Sequence, residues 1–190
     1  MSETMRKLRQ DHINISRLLT VLERQVTAME RGDRIDWDIV RRIVEYCLAF
    51  PDLYHHPLED QVLTRLRRKE LVAAGPSTSL VAEHRDLSAS LRRVAAAVEQ
   101  VLQDATVPRD WFVSLVRKFL GAQRDHMRRE ESEFYPAAER AFGLSDWADL
   151  DKAASRIPSD PLFDSPTDRH YVALLSDIRA EEAAERPGAR

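Results

Sequence analysis

"MRKLRQDHINISRLLTVLERQVTAME", residues 5–30, decides the fold class. Leu8, Ile15, Leu18, Leu19, Leu22 and Val26 recur at the i, i+3, i+4 spacing that lays one apolar stripe along an α-helix. "GDRID" stops this helix, and Asp36 is placed to cap the next, which opens "WDIVRRIVEYCLAF". Pro51 and Pro57 fall inside that second stretch. Proline lacks an N–H and crowds the turn before it, so a kink or irregular turn is expected there. "AAGPSTS" precedes a third helix, about Ser77 to Asp104, and "DATVPRD" leads to a fourth, with Pro108 near its first turn, running to about Phe142. Four long helices with short connections predict an all-α fold, an antiparallel up-down four-helix bundle over residues 1–142.

The composition agrees. A chain of 190 residues suits one well-packed domain with an appendage, and 32% charged residues, 7% aromatics and five glycines favour helices over a sandwich or barrel. The net charge is −3 with both signs interspersed, so no basic stripe points to nucleic acid. No apolar run approaches a membrane span, and "MSETMRKLRQ" lacks the apolar core of a signal peptide. Cys47 is the lone cysteine, which leaves no intrachain disulfide; a cytoplasmic protein with a buried packing thiol is expected. From Gly143 the character changes. Residues 143–190 are expected to form a C-terminal extension with a short helix, covering the bundle through Trp147, Leu150, Ile157, Phe163, Tyr171, Leu174 and Leu175, its last residues disordered.

Five of the six histidines fall on the four stretches: His12, the pair His55 and His56, His84, and His126. Counted from the connections at one bundle end, each lies about 18–20 residues along its helix. At ~1.5 Å per residue that is ~27–30 Å from the same end, so the four positions share one level. His170, in the extension, lies outside this pattern and reads as a surface residue.

Carboxylates accompany the histidines. His55 and Glu59 are four apart, as are His126 and Glu130, so each pair shares a helical face. "HHPLEDQVL" and "HMRREESEF" also echo one another at the histidine, at the acids four and five on, and at an apolar residue eight on. The echo pairs His55 with His126 and sets His56 opposite Met127; His56 with Asp60 is a second i, i+4 option. Imidazole and carboxylate without thiolate suit iron, manganese or zinc, and two carboxylates able to bridge suggest two ions. Two six-coordinate irons need about twelve donor positions, of which five histidines and two bridging carboxylates fill about nine. A bridging oxide or hydroxide leaves at least one position for a small ligand.

The order His, His-x-x-x-Glu, His, His-x-x-x-Glu resembles the hemerythrin-like, or HHE cation-binding, family. "YHHPLED", "AEHRDL" and "DHMRREESEFYP" look like its blocks, and "DPLFDSPTDRHYVALLSDI" is similar to the extension of many bacterial members, so the resemblance spans essentially the whole chain. It implies two non-haem iron ions, oxo- or hydroxo-bridged, with zinc or manganese as substitutes. The implied ligands are His12, His55, Glu59, His84, His126 and Glu130. His56 is an additional candidate ligand, or else a neighbour of the site. The resemblance is weaker to the oxygen carriers, which have a second helix-three histidine where this chain has Ser88, and whose fourth-helix acid follows its histidine by five residues. Ferritin-like Glu-x-x-His pairs are absent, since Asp52 and Gln123 stand three residues before His55 and His126.

The implied function is binding or turnover of a small oxidant (dioxygen, hydrogen peroxide or nitric oxide) in oxidative or nitrosative stress or in iron or oxygen sensing. As an enzyme it would be an oxidoreductase. The competing readings are a non-catalytic metal-dependent sensor or interaction module and a structural zinc bundle. Around the core set, Asp11, Glu83 and Asp125 each precede a ligand histidine, which suits either surface charge or orientation of an imidazole on a neighbouring helix. Asp60 and Glu131 are expected to pair with Arg65 or Arg128, with support of a ligand histidine as the alternative. Tyr54 is expected to pack in the core, with donation to bound oxygen as the alternative, and Trp37 and Trp111 to pack at the loop end.

Overall fold

The computed structural model describes residues 1–69, 80–164 and 166–184. Regular structure among them is helical throughout: α1 (Glu3–Arg31), α2 (Trp37–Phe50), α3 (His56–Arg68), α4 (Leu80–Leu102), α5 (Arg109–Arg129), α6 (Tyr135–Ala141), α7 (Leu144–Ala154) and α8 (Arg169–Ala184). α1 packs against α2 and α5, and α4 packs against the same two, so the long helices enclose a shared interior. The "AAGPSTS" connection, the helix start near Ser77 and the disorder expected at the last residues lie outside the described residues.

Local chemistry sets the helix ends. Ser2 caps α1 by accepting the Met5 amide, and Gly32 ends it at φ 79°, a left-handed conformation that glycine adopts without Cβ strain. Asp36 caps α2, its carboxylate accepting the amides of Asp38 and Ile39 at 2.9 and 3.1 Å. Trp37 packs edge-on against Phe112 at 5.2 Å, but Trp111 is 51% exposed, so only the first fills the packing role expected of both.

The irregularity expected at Pro51 and Pro57 is one π turn, Pro51–His55, in which the His56 amide donates to the Pro51 carbonyl five residues back. In an unbroken α-helix the Pro57 ring would clash with the carbonyl of Leu53; the wider turn lets the chain continue. A second π turn, Glu130–Phe134, joins α5 to α6, with the Tyr135 amide donating to the Glu130 carbonyl just ahead of Pro136. The fourth helical stretch, expected to run to about Phe142, reaches Ala141 with this π turn inside it.

The interior holds two apolar clusters with a polar level between them. Along α1, Met5 and Leu8 belong to one cluster and Ile15 onward to the other; His12 lies at the crossover. The crossover falls between Phe50 and Leu58 on the second stretch and between Leu80 and Leu91 on α4, flanking His55 and His84. Each fully buried Leu or Ile contributes ~1.5–3 kcal/mol. Two clusters of this size offset the cost of placing ionisable groups between them.

The extension carries two helices where one was expected. α7 adds Leu150 and Ala154 to the first cluster, and Asp151 accepts the amide and hydroxyl of Thr4 at 2.8 and 2.7 Å. Leu162 and α8 add Leu174, Leu175 and Ile178 to the other, with Arg17–Glu182 and Arg42–Asp177 ion pairs at 2.6 and 2.7 Å. Between the two helices, buried Asp160 accepts from Tyr46 at 2.9 Å and Asn14 at 3.2 Å, tying the strap to α2 and α1. His170 pairs with Glu45 at 3.4 Å on the surface.

Candidate metal centre

All seven residues singled out in the sequence converge on the polar level. His12 comes from α1, His55 from the end of the first π turn, and His56 and Glu59 from α3. His84 comes from α4, His126 from α5 and Glu130 from the start of the second π turn. All are buried except His56, which is half-buried.

The donors form two groups, each with ligand atoms within 4.8 Å of one another: His56, His84 and His126, and His12, His55, Glu59 and Glu130. The carboxylates reach toward both. Glu59 turns Oε1 to His55 Nε2 (3.5 Å) and Oε2 to His84 Nε2 (3.4 Å). Glu130 turns Oε1 to His126 Nε2 (2.9 Å) and Oε2 to His12 Nε2 (3.3 Å). Each acid thus presents one oxygen to each group.

Behind the imidazoles stands a ring of acceptors. His12 Nδ1 faces Glu131 at 2.9 Å, His55 Nδ1 faces Asp11 at 3.2 Å, His126 Nδ1 faces Glu83 at 3.0 Å and His56 Nδ1 faces Asp52 at 3.1 Å. An acceptor at Nδ1 keeps the proton there and leaves the Nε2 lone pair pointing inward. Asp11 and Glu83 therefore orient histidines of neighbouring helices, whereas Asp125 pairs with Arg128 at 2.7 Å on the surface. Glu131 takes the alternative role, facing His12 and not the arginines favoured for it, and Asp60 stays exposed, outside both donor groups. Tyr54 packs on Phe50 at 5.6 Å.

Two features escaped the sequence reading. Asp52, placed by the π turn, faces His56 and also accepts the Ser88 hydroxyl at 3.0 Å. Tyr135, fully buried, donates its hydroxyl to Glu59 Oε1 at 2.8 Å and lies 3.1 Å from His12 Nε2. The available signal was position: Tyr135 stands immediately before Pro136 as His56 stands immediately before Pro57.

Packing so many ionisable groups together shifts their protonation. Burial opposes charge on His55, but Glu59 and Asp11 outweigh it and lift the imidazole to about 10. His84 rises to about 9 against burial, through Glu130 and Glu59. His56 goes the other way, to about 3, pushed down by burial and by His84 and His55. Glu130 falls to about 2: burial and Glu59 act to raise it, but His12, His126 and His84 prevail. Glu59 is lowered against burial by His55 and His84, and burial with both carboxylates raises the Tyr135 phenol.

These shifts describe a cage of negative carboxylates held by imidazolium protons. Cations can replace those protons. The donor set fits a metal on a further count: Oε2 of Glu59 and of Glu130 are buried with no well-aligned hydrogen bond, their imidazole neighbours standing off at 3.4 and 3.3 Å, and a coordinated ion would satisfy both.

A family model described as the hemerythrin HHE cation binding domain matches residues 4–138, from the start of α1 into α6. No curated protein matches the chain in sequence.

Proposed function

The chain belongs to the hemerythrin HHE cation-binding family, and from that premise we propose that it is a non-haem di-iron protein that binds or turns over a small oxidant: dioxygen, hydrogen peroxide or nitric oxide. The observation that carries the proposal is the division of labour in Glu59 and Glu130, each with one oxygen toward the three-histidine group and one toward the two-histidine group. Two carboxylates so placed suit two ions side by side better than a single ion. His12 and His55 would hold one iron, and His56, His84 and His126 the other. The antiparallel up-down course of the four helical stretches, the division of the chain near residue 142 and a cytoplasmic setting belong to the same proposal.

Bound iron would supply one-electron redox chemistry and exchangeable coordination positions. The protein's part is selection and orientation. Asp11, Glu83, Glu131 and Asp52 fix the imidazoles, so the cage does not reorganise when charge changes. The two apolar clusters exclude bulk water above and below. A small cleft lined by Ile15, Leu19, Cys47, Leu91 and Phe119, together with the polar Asp52, Ser88 and Gln123, reaches His56 and has room only for a small molecule. Cys47 is inert there, its thiol pushed up to about 12 by burial.

Metal analysis with an absorption spectrum tests the proposal. The expected result is about two irons per chain and the near-ultraviolet absorption of a coupled di-ferric pair. Zinc alone, with no such absorption after iron loading, would replace it with a structural bundle. Steady-state consumption of peroxide or nitric oxide by the iron-loaded protein then separates an enzyme from a sensor.

A further inference from the structure

The two donor groups are unequal. One offers three imidazoles; the other offers two, with Glu59 and Glu130. The deficit falls where Tyr135 is. Its hydroxyl oxygen is 2.8 Å from Glu59 Oε1 and 3.1 Å from His12 Nε2, and both residues belong to the two-histidine group. Around an octahedral ion with bonds of ~2.1 Å, neighbouring donor atoms stand ~3.0 Å apart. Tyr135 therefore keeps the spacing of an adjacent donor to both.

The hydrogen-bond inventory strengthens the point. A phenol has one proton, and Tyr135 gives it to Glu59. With Glu131 holding a proton on His12 Nδ1, the Nε2 lone pair of His12 faces a lone pair of the phenol oxygen across 3.1 Å. The two atoms are close enough to share one cation. In the metal-free chain a proton serves; in the loaded chain an ion does. The ring cannot swing away, because it stacks on the His12 imidazole at 5.3 Å between ring centres and lies among the side chains of the first apolar cluster.

We propose that Tyr135 is a further iron ligand, its phenolate oxygen occupying a coordination position of the ion held by His12, His55, Glu59 and Glu130. This rests on the di-iron reading. As the Fe–O bond forms, the O–H bond breaks and the proton leaves to solvent, with no change in the oxidation state of the ferric ion. The consequence is functional. Tyr135 fills the one position that five histidines, two bridging carboxylates and a bridging oxide leave open, so an exogenous anion or oxidant binds only by displacing a ligand, and half-buried His56, beside the cleft, is the one most accessible to exchange.

The test uses the iron-loaded, air-oxidised full-length chain. A ferric phenolate gives a broad visible charge-transfer band, and excitation into it enhances tyrosine ring vibrations in the resonance Raman spectrum. We expect both in the unsubstituted protein, with the Raman bands moving when ring-deuterated tyrosine is incorporated. Tyr135→Phe should abolish the band and tighten azide binding at least about tenfold, and Tyr54→Phe should leave the band in place. Two irons per chain with no tyrosine-enhanced vibrations overturns the proposal, as does a band that survives Tyr135→Phe. The Raman measurement on unsubstituted protein decides the matter even if Tyr135→Phe fails to fold. A chain that takes up no iron refutes the di-iron reading itself, a result distinguishable from two irons without phenolate.

Discussion

The π turn at Pro51–His55 ends on the histidine of the His-x-x-x-Glu block of its helix, so that Glu59 follows it; the one at Glu130–Phe134 begins at the acid of its block. Both serve the same need, carrying a helix past a proline two residues beyond the turn. Their effect on the site differs. The first brings two consecutive histidines to the polar level, one to each donor group. The second leaves the ordinary α spacing of His126 and Glu130 intact and swings Tyr135 in behind them. Aligned on their prolines, the counterpart of His56 is therefore Tyr135 and not Met127. One backbone device, shifted relative to the ligand block, makes two chemically different halves.

The largest expected effect tests what the halves share. Glu59→Ala or Glu130→Ala should lose both ions together, iron falling from about two per chain to near zero, because each acid faces both groups. Full iron content with an unchanged spectrum in either variant would refute the sharing. Next comes the difference between adjacent residues at the first turn. His55→Ala removes one of two imidazoles from its group and His56→Ala one of three, so the His55 variant should lose more iron. A greater loss at His56 would make the three-histidine group the one that nucleates binding.

Much of this was legible in the residues, for physical reasons. Helical periodicity and turn chemistry placed the long stretches and the Asp36 cap, since both depend on local sequence. The shared level of the histidines followed from counting, because helical rise is constant. The second π turn was not legible from the same reasoning: Pro136 near a helix end reads as tolerable, and only the packing of Phe134 and Tyr135 into the first cluster keeps the chain helical beyond it. Tyr135 itself was hidden by the echo between the two blocks, which aligns on histidine and ignores the shifted turn. The role of Glu131 beside His12 ranked below an arginine pair because adjacent residues on a regular helix face different directions, and the π turn beginning at Glu130 changes that phase.

The same pair at the first turn predicts a pH signature. In the metal-free protein His55 and His84 are lifted to about 10 and about 9, above the ordinary ~6.5. Their stabilisation is fully present below ~6.5 and is lost as pH rises through those folded values. His56 is depressed to about 3, so its contribution is present above ~6.5 and declines as pH falls toward that value. Metal-free protein should therefore melt at its highest temperature near neutrality and several degrees lower near pH 10. Iron-loaded protein, whose ligand histidines are neutral, should keep its melting temperature across that alkaline range. Equal alkaline losses in both forms would mean that the imidazolium–carboxylate cage contributes nothing to the fold.

The smallest effect concerns the acceptors behind adjacent histidines. Asp11 is buried against His55, with Lys7 at 3.6 Å; Asp52 is far more exposed and divides itself among His56, Ser88 and Arg92. Removing the partner of a ligand histidine typically costs ~10–100-fold in metal affinity. Asp11→Ala should fall within that range, because no water replaces a buried acceptor at His55. At His56 solvent can take the place of the lost carboxylate, so Asp52→Ala should weaken iron by less than about tenfold. Competition against a chelator of known affinity measures both. If Asp52→Ala proves the more damaging, the π turn acts on the site chiefly by holding Asp52 between α4 and His56, and the difference between the halves lies in that tether more than in the ligands the turn delivers.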